Sequence, residues 1–317
     1  MLLSIEIIQV NSFSNEMIKM KKNNIILLLV LIVQINGDVI FFDLGDTLIK
    51  IEQSKVNKHI GFKNIVSELL RLEFSQLYHF NFSANPKKHF INIFFKGLNA
   101  IKYELPVSVD YEMYSNDGVT PLPHFMRDTM LGYFTYQTAK PLCDTMLQEN
   151  PKLFGSENQK TIFLNMFELA FNPHVFASTQ TATKLTKTLA QCAKKVDENG
   201  NKKHVCIILS NWTKDNIPLF KKQFAQEIMT YIDDCVFSCD GFGGKPGKNI
   251  YQYCYDLVKM QYPDQMTKPW FFLDDQKING DGFKAFIESI DNRIKPILFW
   301  AHPKQAHTLL KKHGVIN

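Results

Sequence analysis

Several short apolar runs in this chain stop abruptly at polar residues, and that repeated design restricts the fold more than any other feature. Val39 to Phe42, within DVIFFDLGDTLIK, delivers Asp43 into a glycine-containing loop. His204 to Leu209 ends at Ser210 and Asn211, and Trp270 to Leu273 ends at Asp274 and Asp275. A tight loop, Gly243-Gly244-Lys245-Pro246, adds one cation. Short continuous apolar runs of this kind read as strands buried on both faces, which is how parallel strands are written. Further strands are expected at Asp234 to Phe237 and Pro296 to Trp300. Helices are expected at Thr181 to Lys195, Ile217 to Met229, Lys248 to Met260, Gly282 to Ile290 and Gln305 to His313. Strands alternating with such helices imply an α/β fold, a three-layer α/β/α sandwich with a parallel Rossmann-like sheet. In open sheets of this type the chemistry sits outside the carboxyl ends of the strands, where Asp43 is placed.

A carboxylate, a hydroxyl, an ammonium and a carboxylate pair make a phosphoryl-transfer inventory. FFDLGDTL, IILSNW, GGKPGKNIY and WFFLDDQKINGDGF occur in that order, each at or beyond the end of an expected strand. In this order the four segments resemble the motifs of the haloacid dehalogenase-like (HAD) hydrolase superfamily, and the likeness covers residues 38 to 54 and 175 to 317.

The resemblance implies roles residue by residue. Asp43 would be the nucleophile that forms an aspartyl phosphate, and the Gly45 carbonyl would complete a metal shell with Asp43, Asp274 and Asp275. Ser210 and Asn211 would donate hydrogen bonds to the transferring group, Lys245 would offset negative charge, and Thr47 would orient the loop or bind phosphate. Asp281 and Asn279 would support the metal ligands. The family's phosphatases place a second Asp two residues after the nucleophile, as general acid and then base. Here that position is Gly45, and the neighbouring acid is Asp46, one residue further on. Asp46 is either the replacement acid or a loop-stabilising turn residue, because a shift of one residue redirects a side chain.

The metal is also a physical requirement. Carboxylates about 4 Å apart repel by roughly 4 kcal/mol at an effective dielectric of 20. Asp43 and the Asp274/Asp275 pair therefore converge as anions only with a countercharge, which Mg²⁺ supplies through oxygen ligands. The expected activity is Mg²⁺-dependent phosphoester hydrolysis on a small-molecule substrate. The alternatives are a weak or inactive HAD-fold binding protein, suggested by Gly45, and a metal-independent haloacid dehalogenase.

Between Lys50 and Asn172 helical periodicity replaces strand signals, at Ile60 to Tyr78, Phe90 to Leu98, Phe125 to Tyr136 and Thr161 to Phe171. Residues 55 to 174 thus read as an all-helical cap domain inserted after the first motif. Tyr103 to Pro123 is rich in turn formers and reads as a loop, either a substrate lid or a surface connection. Arg127, His79, His89 and His124 are cap residues expected in core or surface positions.

At 317 residues, 45% of them hydrophobic and 26 of them Phe, the chain can bury a full core plus a large insertion. A net charge of +5, scattered in Lys pairs, forms no basic stripe with interleaved aromatics and so does not point to nucleic acid. Lys19, Lys21 and Lys22 precede the aliphatic run Ile25 to Val33 and a polar segment ending at Gly37. That order resembles a signal peptide over residues 1 to 37. Nine apolar residues are too few for a stable membrane span, which needs roughly 20. Export, periplasmic or secreted, is the expectation, with a cytoplasmic protein as the alternative in which this run is a buried element. Nothing in the sequence identifies a protein partner. Six cysteines are an even number compatible with disulfides in an exported chain, but their spacings match no zinc pattern.

Overall fold

The structure, a computed structural model, describes residues 37–61, 63–64, 67–68, 86–104, 112–115, 118–291, 293–294, 296–300 and 303–317. The segment expected as a signal peptide and most of the helix expected at Ile60 to Tyr78 lie outside these residues, as does His79.

Strand β1 (Val39–Phe42) occupies the middle of a five-stranded sheet. Its neighbours are β4 (Val205–Ser210) and β6 (Trp270–Asp274), with β5 (Asp234–Phe237) and β7 (Pro296–Trp300) at the edges. All four pairings are parallel. Alternation along β1 explains the layers. Val39 and Phe41 pack with Ile250, Tyr251, Phe283 and Ile287 from the helices Lys248–Gln261 and Lys277–Ile290. Ile40 and Phe42 pack with Leu185, Leu189 and Leu310 from the helices Leu185–Lys194 and Pro303–Lys312 on the other face. Each large apolar side chain buried this way stabilises the fold by about 1.5–3 kcal/mol relative to exposure. The product is the three-layer α/β/α sandwich.

The helical cap is inserted between two short strands, β2 (Ile49–Ile51) and β3 (Gln180–Ala182), which pair antiparallel as a ribbon. Its described helices are Gln53–Ile60, Pro86–Ala100, His124–Met130, Tyr136–Glu149, Glu157–Phe171 and Pro173–Thr179. They enclose a separate core of Phe94, Leu98, Phe125, Phe163, Phe167 and Phe171, with Phe167 and Phe171 rings 4.6 Å apart.

Several expected elements are corrected. The helix expected from Phe125 to Tyr136 is two helices with a break at Gly132, whose φ is +85°. A Cβ at that glycine would lie 2.5 Å from the Cys239 carbonyl oxygen, so the chain turns where the cap meets the core. Ser238 secures that junction by donating its hydroxyl to the Met130 carbonyl at 2.6 Å. The helix expected at Thr181 to Lys195 begins only at Leu185, because Gln180–Ala182 satisfies its backbone groups against β2. The helix expected at Ile217 to Met229 runs from Asn216 to Gln223, and Met229–Tyr231 is a separate 3₁₀ turn. The helix expected from Gly282 starts earlier, at Lys277. In the loop expected from Tyr103 to Pro123, the described residues form no helix and one isolated bridge, Tyr114 to Pro121.

All six cysteines are free thiols and five are buried, so the cores hold them as small apolar side chains rather than as disulfides. Among the described residues no helix is long and apolar enough to cross a membrane.

Candidate functional site

The sheet register assembles the site. Phe42 is level with Leu273 of β6, and the Asp43 amide donates to the Leu273 carbonyl at 2.9 Å, so Asp43 emerges beside Asp274. On the other side of β1, strand β4 ends at Ser210. Asp43, Asp274 and Asp275 bring carboxylate oxygens within 4.8 Å of one another.

The cation arrives from the loop after β5. Lys245, 2% exposed, donates its ammonium to Asp43 Oδ1 at 2.7 Å and to Asp274 Oδ2 at 2.5 Å. Asn211 holds that loop in place: its Oδ1 accepts from the Lys245 amide at 2.8 Å, and its Nδ2 donates to the Lys245 carbonyl at 2.9 Å. A Cβ on Gly244 would stand 3.0 Å from Asn211 Oδ1, so a larger residue there would crowd this bracket.

The electrostatics follow from one ammonium among three acids. Burial pushes Asp43 up to about 6; Lys245 opposes the rise and Asp274 adds to it. Burial, reinforced by Asp43 and Asp274, pushes Asp275 up to about 8. Burial disfavours the Lys245 ammonium, but Asp274 and Asp43 outweigh it and hold the group above its ordinary range. The cluster therefore carries negative charge in excess of its internal countercharge. An all-oxygen donor set of this kind fits a hard divalent cation. Asp43 and Asp275 are the better placed of the acids, since both line the cavity, as Gly45 does. Asp274 is already engaged: it accepts from Lys245, from the Gln276 amide at 2.8 Å and from Asn279 Nδ2 at 3.1 Å.

Other expected site residues fall into different places. Ser210 is buried and its hydroxyl bonds the Asp43 carboxylate. Asn211 was expected to donate to the transferring group; it lines the cavity, but its amide is committed to the Lys245 backbone, which makes it a positioning residue. Thr47 was expected at the phosphate; it is fully buried and absent from the described cavity wall, while its carbonyl accepts from the Thr183 hydroxyl at 2.6 Å. Its part is to anchor the loop. Asp46 is exposed at the cavity wall with φ +52°, a left-handed turn conformation that Asp tolerates better than most residues. Asn279 supports Asp274 as expected, whereas Asp281 is exposed and paired with Lys277, away from the acids. In the cap, Arg127 pairs with Asp128, His89 with buried Glu68, and His124 is exposed.

A cavity of about 720 Å³ opens over Asp43, Gly45 and Asp275 and runs beneath the cap. Much of its wall comes from residues to which the motifs gave no role, including Trp212, Phe176, Met126, Met130 and Met166. Trp212 had a signal, since it is the last residue of the second motif, IILSNW. The methionines had none, because an apolar residue on a helix looks the same in sequence whether it faces a core or a cavity.

No protein-family model matches the chain, and no curated protein does. Among solved structures, the chain is similar to a HAD-family enzyme of Bacteroides thetaiotaomicron, at 14% identity over 87% of this chain and 98% of that one, with a TM-score of 0.44. The same enzyme in complex with magnesium and inorganic phosphate is similar at 15% identity over 84% and 96% of the two chains, with a TM-score of 0.41. L-2-haloacid dehalogenase from Xanthobacter autotrophicus, with chloropropionic acid covalently bound, is similar at 11% identity over 79% and 74%, with a TM-score of 0.37.

Proposed function

We propose that this chain is a HAD-like hydrolase that cleaves phosphoesters through Asp43 with Mg²⁺ as its metal. The observation that carries the reading is the convergence of Asp43, Asp274 and Asp275 around Lys245 at the floor of a cavity. Asp43, Asp275 and the Gly45 carbonyl would hold the ion. When bound, Mg²⁺ neutralises charge on the phosphoryl oxygens.

The side chains supply the rest. An Asp43 oxygen attacks phosphorus while the bond from phosphorus to the ester oxygen breaks, leaving an aspartyl phosphate and an alcohol that must take up a proton. Lys245, bonded to the other side of this reaction through Asp43 Oδ1, stabilises the charge that accumulates, and Ser210 fixes the carboxylate. Water then cleaves the acyl–phosphate bond, restoring Asp43 and releasing phosphate. Gly45 offers no side chain to protonate the leaving group, and Asp46, at the same cavity wall, is the nearest acid in the loop.

Phosphate release should depend on added Mg²⁺, stop on chelation and disappear in Asp43→Asn. Gly45 favours a second reading, a binding protein on the HAD fold. Mg²⁺ binding detected by calorimetry without phosphate release from a broad ester panel would support that reading and refute the hydrolase.

A further inference from the structure

We propose that the ligand of this site is a phosphomonoester of a largely apolar alcohol, gripped by the cap through its hydrocarbon body. The inference rests on the phosphoester reading above and extends it to a substrate class.

Size comes first. A cavity of about 720 Å³ is in the range that buries ligands of many atoms, and a two- or three-carbon acid would leave most of it unfilled. Wall chemistry comes second. The helix Glu157–Phe171 has two apolar faces: Phe163, Phe167 and Phe171 are buried in the cap core, while half-buried Met166, Leu169 and Ala170 line the cavity. The helix Pro86–Ala100 repeats the pattern, burying Ile93 and Leu98 and turning Ile91 and Phe95 to the cavity. A helix that met only water on its second face would carry polar residues there. Met126, Met130 and Met166 add flexible side chains that adapt to an irregular apolar shape.

Charge comes third. Among the described cap residues of the wall, Lys88 alone is charged. The remaining charged groups, Asp43, Asp46, Lys245 and Asp275, belong to the core side of the cavity. A ligand matching this division has an anionic head at Asp43 and an apolar body under the cap. The polar cap residues of the wall are Asn92, Tyr114, Ser115 and Thr120; a sugar phosphate or nucleotide would find partners only there and would set its remaining polar groups against Met166 and Leu169, where lost water contacts are not replaced.

The test is a series of n-alkyl phosphates from methyl to octyl, with glucose 6-phosphate and a nucleoside monophosphate, assayed for phosphate release by the full chain with Mg²⁺. Each methylene should raise kcat/KM about fourfold until the cavity is full, mainly through KM, and octyl phosphate should exceed both polar esters. Ala170→Phe, which takes up cavity space, should end that rise at a shorter chain. Equal or better hydrolysis of the polar esters, or a flat chain-length profile, overturns the inference. If no ester is hydrolysed, the phosphoester hydrolase reading fails by itself. Calorimetry with the matching alkylphosphonates and Mg²⁺ then decides the ligand class: Kd falling with chain length sustains it, and Kd independent of length refutes it.

Discussion

Gly45→Asp should convert a site poor in leaving-group acid into one that supplies a proton. A Cβ built on Gly45 lies 3.9 Å from Asp43 Oδ2 and 3.8 Å from the Trp212 ring, ordinary contact distances with nothing closer. The residue is not among those with positive φ, so an L side chain enters without backbone strain. The new carboxyl would stand beside Asp43. Two carboxylates about 4 Å apart repel by roughly 4 kcal/mol at an effective dielectric of 20, equivalent to about 3 pH units of titration before Lys245 and a metal reduce it. The repulsion raises the proton affinity of the introduced group, the direction a general acid requires. General acid catalysis contributes about 10²–10⁴ in rate. The gain should appear in kcat for alkyl phosphates, whose alkoxide leaving groups need the proton. It should nearly vanish for p-nitrophenyl phosphate, whose leaving group does not. Steady-state kinetics of both esters with wild type and variant provide the ratio. An alkyl-to-aryl ratio that is the same in both proteins would refute the reasoning, and Asp46→Asn would then identify whether Asp46 already supplies the proton.

Two other perturbations test the charge arrangement and the fold. Lys245→Met leaves Asp43 and Asp274 buried without their shared cation and should destabilise the protein by about 3–5 kcal/mol in urea unfolding; a loss under about 1 kcal/mol would contradict a charge-balancing role. Hydrogen bonds from Arg293 hold Asp291 down at about 2, against an ordinary 3.8, so this pair stabilises the fold above pH 4 and loses its effect as pH falls toward 2. Because Arg293 is mostly exposed and screened by solvent, Arg293→Ala should lower stability slightly at pH 7 and by less as the pH falls to 2, when unfolding is followed across that range; a loss that does not shrink on acidification would refute the pairing.

The parts of the molecule that were legible in the sequence are those whose cause is local. Val39 to Phe42 reads as a strand because both its faces are buried, and Asp43 reads as a site residue because the apolar run ends at it. Lys245 was expected to offset charge, and its ammonium lies between Asp43 and Asp274. The break at Gly132 was not legible, because its reason is the Cys239 carbonyl more than a hundred positions away. Strands β2 and β3 are three residues each, too short for any periodicity, and exist through their pairing. The resemblance implied that Asn211 donates to the transferring group, yet its two side-chain heteroatoms are claimed by the Lys245 backbone, a partner that only the folded chain brings near.

The ribbon of β2 and β3 has a mechanical consequence. An inserted domain is tethered by two chain crossings, and separate crossings would let it tilt, twist and slide independently about each. Here the crossings are hydrogen-bonded side by side, Ile49 opposite Ala182 and Ile51 opposite Gln180, so they flex as one strap. Swinging of the cap is thereby channelled toward a single axis. That strap begins three residues beyond Asp46, so the same movement pulls on the turn that carries the acid and on the Gly45 carbonyl beside it.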